Sequence, residues 1–148
     1  MNERLFRPVD IAPLVFFRIV GAALIAMECA GHALTPFRQP YVETSFHLSW
    51  SLTPWLTAGP PTLVYAHMAA NVVAAILVAI GCFYRVAAVA LALGLAALVA
   101  MEQTAYINHT YLYALYAAIF AVIPANAAVS LDAKRRPQIA RSTVPAWC

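Results

Sequence analysis

Apolar residues run almost unbroken from Ile11 to Leu34, with Arg18, Glu28 and His32 as the ionisable interruptions. A second run covers Thr62 to Cys82 and holds His67 and Asn71; a third covers Val86 to Ala105, and a fourth Thr110 to Ala128. Each falls in the range of about 17–25 residues that a helix needs to cross a bilayer. Asp10 or Pro13 marks the start of the first helix, and Pro36 and Pro40 stop it. Pro60 and Pro61 precede the second run, where proline suits a first helical turn. A tight Phe83-Tyr84-Arg85 turn separates the second helix from the third, and Pro124 bends or ends the fourth. The pattern predicts an all-α integral membrane four-helix bundle, one transmembrane domain over residues 1–148 with spans 11–34, 62–82, 86–105 and 110–128. Residues 129–148 read as a basic cytoplasmic tail.

Composition excludes a soluble domain. Hydrophobic residues make up 64% and charged residues 10%, against about 45–50% and about 25% in soluble chains. The net charge of +3 needs no nucleic acid; the bilayer is the expected partner, and Lys134-Arg-Arg reads as a topology signal in contact with lipid headgroups. Arg4 and Arg7 before an apolar run suggest a signal peptide, but Arg18 and Glu28 break the run and no small-x-small site follows it. Arg4, Arg7, Arg85, Lys134, Arg135, Arg136 and Arg141 fall on one side of the four-span topology, and Arg38 alone on the other. Basic residues favour the cytoplasmic side, so both termini are expected there, in a bacterial inner membrane.

The loop from Thr35 to Gly59 carries Phe37, Tyr41, Phe46, Trp50 and Trp55 between prolines. Amphipathic aromatics settle at headgroup level, which predicts a re-entrant or surface-lying cap on the outer face. Cys29, Cys82 and Cys148 read as inert thiols, since two of them face a reducing compartment.

The polar residues inside the runs are the candidate chemistry. Glu28 and His32 are four apart on one helix face, as are His67 and Asn71. Glu102, Asn108 and His109 lie in the turn between the third and fourth runs. Ionisable groups in a bilayer face the bundle interior, so Glu28, His32, His67, Asn71 and His109 are expected in one outer pocket. Four readings of it stay open. Its hydrogen bonds lock the helix ends; its donors hold a quinone or similar headgroup; its imidazoles bind haem or a metal; or one histidine ligates a chlorophyll-type pigment. No specific metal signature is present. Arg18, about 15 Å along the helix from Glu28, is expected to snorkel or to bond backbone carbonyls rather than to pair across the bundle.

Five pieces carry a family resemblance. They are Pro13-Leu-Val-Phe-Phe-Arg-Ile-Val-Gly21, Gly81-Cys-Phe-Tyr-Arg-Val86, Thr104-Ala-Tyr-Ile-Asn-His-Thr-Tyr-Leu-Tyr113, Ser130-Leu-Asp132 and Val144-Pro-Ala-Trp147. In this order and spacing the chain resembles the horizontally transferred transmembrane (HTTM) domain, the membrane module of the vitamin K-dependent gamma-carboxylase family. The resemblance implies chemistry facing the lumen or periplasm, with reduced vitamin K oxygenated to a strong base that takes a proton from a glutamate. His109 is carried over as an active-region residue, supported by Asn108 and Tyr111. The family reaction also implies a lumenal lysine beyond the Pro-x-Trp segment, and the only lysine here is Lys134, on the other side. The expectation is therefore an accessory subunit of a larger respiratory or photosynthetic type of membrane complex, not an enzyme on its own, with other membrane subunits as partners and a quinone or lipid at its outer face. A split carboxylase-like enzyme is one alternative, and haem or metal binding by the histidines another.

Overall fold

The computed structural model of the chain describes residues 3–34, 39–43, 47–48, 50–57 and 59–147. Pro36, Phe37, Arg38, Phe46 and Cys148 lie outside the described residues. The elements in order are α1 (Glu3–Phe6), β1 (Pro8–Asp10), α2 (Ala12–Leu34), α3 (Gln39–Val42), α4 (Pro61–Ile80), α5 (Tyr84–Met101), α6 (Asn108–Val122), α7 (Leu131–Arg135) and β2 (Thr143–Pro145). Among the described residues three helices, α2, α4 and α5, are long and apolar enough to cross a membrane. The shorter α6 completes an up-down-up-down four-helix bundle, packed mainly against α5.

The packing follows from a repeat that alternates steps of three and four. Val15, Arg18, Ala22, Ile25, Cys29 and His32 form the buried stripe of α2. Val64, Met68, Asn71, Ala75 and Val78 form that of α4, and Tyr84, Ala88, Leu91, Leu95 and Leu98 that of α5. Such a stripe lets each side chain seat between those of a neighbour at a shallow crossing angle. Small residues bring α4 and α5 close. A Cβ at Gly94 would collide with the buried Asn71 side chain, so only glycine fits there.

Local chemistry sets the helix ends. Asp10 Oδ1 accepts from the Ala12 amide at 2.8 Å and starts α2. Pro61 opens α4, and Gly81 closes it in a left-handed conformation (φ 66°), its amide and the next bonding back to Val78 and Leu77. The turn here is Gly81-Cys82-Phe83, and α5 already begins at Tyr84, two residues before the expected start. It also ends at Met101 rather than Ala105, because Glu102 turns to extended backbone (φ −148°). α6 ends at Val122, before Pro124, rather than at Ala128, and a short 3-10 turn over Ala125–Ala127 follows.

Residues 129–147 are not a loose tail. α7 packs on the turn before it, and β2 pairs antiparallel with β1, Val9 opposite Val144. This sheet is a small exception to the all-α architecture. Ile11, Val15, Ala127 and Val144 form a second apolar cluster beneath it. The charges of Lys134-Arg-Arg hid that packing from composition, since the segment folds through its backbone and through Val144.

Candidate functional site

At the bundle end away from the termini, Glu28 and His32 project from one face of α2, one helical turn apart. α6 begins after extended Ile107, which puts His109 in its first turn and against α2. Glu28 Oε1 lies 2.8 Å from His109 Nε2 and 3.4 Å from His32 Nε2. One potential ligand atom from each of the three residues lies within 4.8 Å of the others. The Tyr113 ring meets the His109 ring edge-on at 5.9 Å. The side chain of His32 is 6% exposed, those of Glu28 and His109 31% and 45%, so the node is closed on the α2 side and open at α6. It sets one carboxylate oxygen between two imidazoles, whose Nε2 atoms both face it and whose donor and acceptor roles follow the tautomer.

Beside it a second node ties the first loop to the α5–α6 turn. Glu102 is fully buried. Its Oε2 lies 2.9 Å from His47 Nδ1, and its Oε1 accepts from the Thr104 hydroxyl at 2.8 Å, the Thr104 amide at 3.2 Å and the Leu48 amide at 3.3 Å. Burial alone would raise the Glu102 pKa, but these bonds from Thr104, His47 and Leu48 outweigh it and hold the carboxyl below its ordinary value. Burial, then the charge of Glu102, pushes the Tyr41 phenol up to about 12. The loop also caps α5. The last carbonyls of a helix have no partner within it. Here Tyr41 Oη donates to Leu98 O at 3.3 Å, Trp50 Nε1 to Val99 O at 2.9 Å and Thr53 Oγ1 to Ala100 O at 3.4 Å. Trp55 stays exposed.

The other expected site residues lie elsewhere. His67 Nε2 is 2.9 Å from Gly94 O across the α4–α5 interface, and Asn71, one turn on, packs against the same glycine. They are engaged by α5, while Glu28, His32 and His109 meet between α2 and α6. Helix rotation, which periodicity leaves open for an all-apolar helix, decides that division. Asn108 and Tyr111 are on the exposed side of α6. The Glu102–His47–Thr104 node had a signal in the sequence: a carboxylate at a helix C-terminus opposes the helix dipole and needs donors from outside the helix.

At the terminal end, Arg18 is fully buried and bonds carbonyls across the bundle. Its Nη1 donates to Ala125 O at 2.6 Å and Ala128 O at 3.2 Å, and its Nη2 to Val129 O at 2.6 Å. Val129 is held in a left-handed conformation (φ 47°). Asp132 accepts from the Phe83 and Tyr84 amides, each at 3.0 Å, at the positive start of α5. Ser130 caps α7 through the Ala133 amide and donates to Asn126 O. Arg18, the Gly81–Arg85 turn and Ser130–Asp132 thus form one structure, with β2 and Trp147 folded against the same end. Four of the five pieces that carry the family resemblance meet there; the fifth, Thr104–Tyr113, builds the two far-end nodes. Cys29 and Cys82 are buried free thiols.

No curated protein and no solved structure matches the chain. The family model of the HTTM domain matches residues 6–148. With essentially its whole length covered, and with the shared pieces forming both ends of the bundle, the chain belongs to the HTTM domain family.

Proposed function

We propose that this membrane module holds a quinone-type headgroup at Glu28, His32 and His109 and serves as a small accessory subunit of a larger membrane complex. The observation that carries this reading is the convergence of one carboxylate and two imidazoles within 4.8 Å, half open to the surroundings. A quinone carbonyl accepts from an imidazole N–H, and a quinol hydroxyl donates to the carboxylate, so the node meets both redox forms. Positive-inside orientation supports placing the Arg85, Lys134, Arg135, Arg136 and Arg141 end in the cytoplasm of a bacterial inner membrane, with the Glu28 node on the opposite side. Carboxylation as the family performs it takes a lysine base on the side of His109. Lys134, the only lysine in these 148 residues, is at the other end, so that reaction would need a lysine from another segment or chain.

Titration of the purified chain with a short-tailed naphthoquinone and its quinol tests the binding. Saturable binding, weakened at least about tenfold (about 1.4 kcal/mol) in His109→Ala and Glu28→Gln, is expected. Binding that does not saturate sinks it. Isolation from native membranes tests the subunit role; a chain that migrates alone counts against it.

The same geometry favours a second reading, a transition metal held by two histidines and one carboxylate. Stoichiometric metal in the purified chain, lost in His32→Ala, would establish that reading in place of the quinone. A Soret band would assign the histidines to haem.

A further inference from the structure

The opposite end of the bundle carries a groove of about 680 Å³ between the start of α5 and the segment after α6. The quinone reading makes no use of it. Among the described residues Arg85, Arg135, Arg136 and Arg141 line it, against one acidic side chain, Asp132. That carboxylate is committed to the Phe83 and Tyr84 amides and to Asn126 Nδ2 at 3.2 Å. The groove is left with a surplus of guanidinium. Arg85 is fixed at the rim by its bond to Ala121 O at 3.1 Å, and Arg135 by its stacking over Phe83.

Asn126 and Gln138 add polar groups, and most of the remaining wall is apolar. Val86 is 72% and Val122 63% exposed, and both line the groove beside Trp147. By helical periodicity Val86 continues into exposed Val89 and Leu93 along α5, and Val122 into exposed Ile119 along α6. Cationic groove and exposed apolar helix flank are therefore one continuous surface. We propose that it binds an anionic phospholipid, with the headgroup phosphate among Arg85, Arg135, Arg136 and Arg141 and the acyl chains along the α5–α6 flank. Guanidinium forks match phosphate oxygens. The apolar continuation favours a lipid over a soluble anion, which has no use for Val86 and Val122.

Lys134 does not line this groove but a neighbouring one on the other side of α7, which shares Arg141 with it; a lipid seated in that neighbour would be lost with Lys134. That difference supplies the control. Native mass spectrometry of the full chain from micelles holding equal phosphatidylglycerol and phosphatidylcholine, at near-physiological salt, reads lipid retention. The unmodified chain is expected to retain phosphatidylglycerol about tenfold over phosphatidylcholine or better. Arg136→Gln with Arg141→Gln removes two exposed groove charges and is expected to cut that retention about 30-fold, at about 1 kcal/mol for each arginine. Lys134→Gln with Arg7→Gln removes two charges from the same end outside the groove and is expected to change retention by less than about threefold, because salt screens distant charges. Equal retention of the two lipids by the unmodified chain overturns the proposal without recourse to any variant. An equal loss in both double variants overturns it in favour of diffuse attraction. Displacement of the lipid by millimolar inorganic phosphate overturns it in favour of a soluble anion.

Discussion

Replacing Glu102 by alanine should release the first loop from the bundle while leaving the helices in place. The carboxylate accepts four hydrogen bonds, from His47, Leu48 and both donors of Thr104. Bonds to a charged group contribute about 1.5–3 kcal/mol each, but the sum overstates the loss, because Leu48 and Thr104 are exposed and their donors regain water. What is not recovered is the half-buried His47 contact and the packing of a fully buried side chain. Together these give a loss of about 3 kcal/mol, which in a chain of this size lowers the melting temperature by about 6–12 °C. Hydrogen exchange locates the effect. The Leu48 amide loses its acceptor, and the Gln103 amide, bonded to Leu48 O at 2.9 Å, loses its partner as the loop departs. Protection in the middle of α2, α4 and α5 should be kept. A variant that melts with the parent, or that loosens the helix cores while residues 47–57 stay protected, would show that Glu102 does not hold the loop to the bundle.

Glu102 also sets a pH dependence. Its folded pKa lies below the ordinary 4.5, so its stabilisation is fully present above that pH and is lost as pH falls through the folded value; Glu102→Gln should flatten that acid limb in a melting series. Gly94→Ala should destabilise strongly, because its Cβ meets Asn71, and adding Asn71→Ala should restore most of the loss; melting of the two single variants and the double variant checks this coupling. Arg18→Met leaves three carbonyls of residues 125–129 without their guanidinium and should cost about 3 kcal/mol or more, read as a fall in melting temperature of about 6 °C or more. Asp132→Ala uncaps α5 and should cost about 1 kcal/mol, visible as faster exchange at the Phe83 and Tyr84 amides.

The long apolar runs made the bundle legible, because a single continuous segment of that length satisfies its own backbone in lipid only as a helix. Helix ends were legible where a residue acts alone and has one reading, as Pro61 does at the start of α4; the end expected at Cys82 comes at Ile80, because Gly81 turns left-handed. Ends were not legible where a distant segment acts: α5 starts early because Asp132 caps it and stops early because Glu102 leaves it for His47 and Thr104. Glu28 with His32 could be read from spacing on one helix, and His109 joins them because α6 packs beside α2. His67 and Asn71 have the same spacing, yet they face Gly94. In a helix with apolar residues on all sides, close approach at a glycine settles the rotation, and spacing does not reveal which helix supplies it. The folding of residues 129–147 rests on Arg18 and Asp132 reaching more than forty residues along the chain, which no local pattern records.

Glu28, His32 and His109 are proposed to form a binding site for a quinone-type headgroup. Photolabelling of native membranes with a photoreactive short-tailed naphthoquinone, followed by peptide mapping, tests it most directly. Saturable labelling is expected on α2 and α6 close to Glu28 and His109, abolished by excess unlabelled quinone and lost in Glu28→Gln. Labelling that does not saturate, or that falls on segments away from α2 and α6, would contradict it.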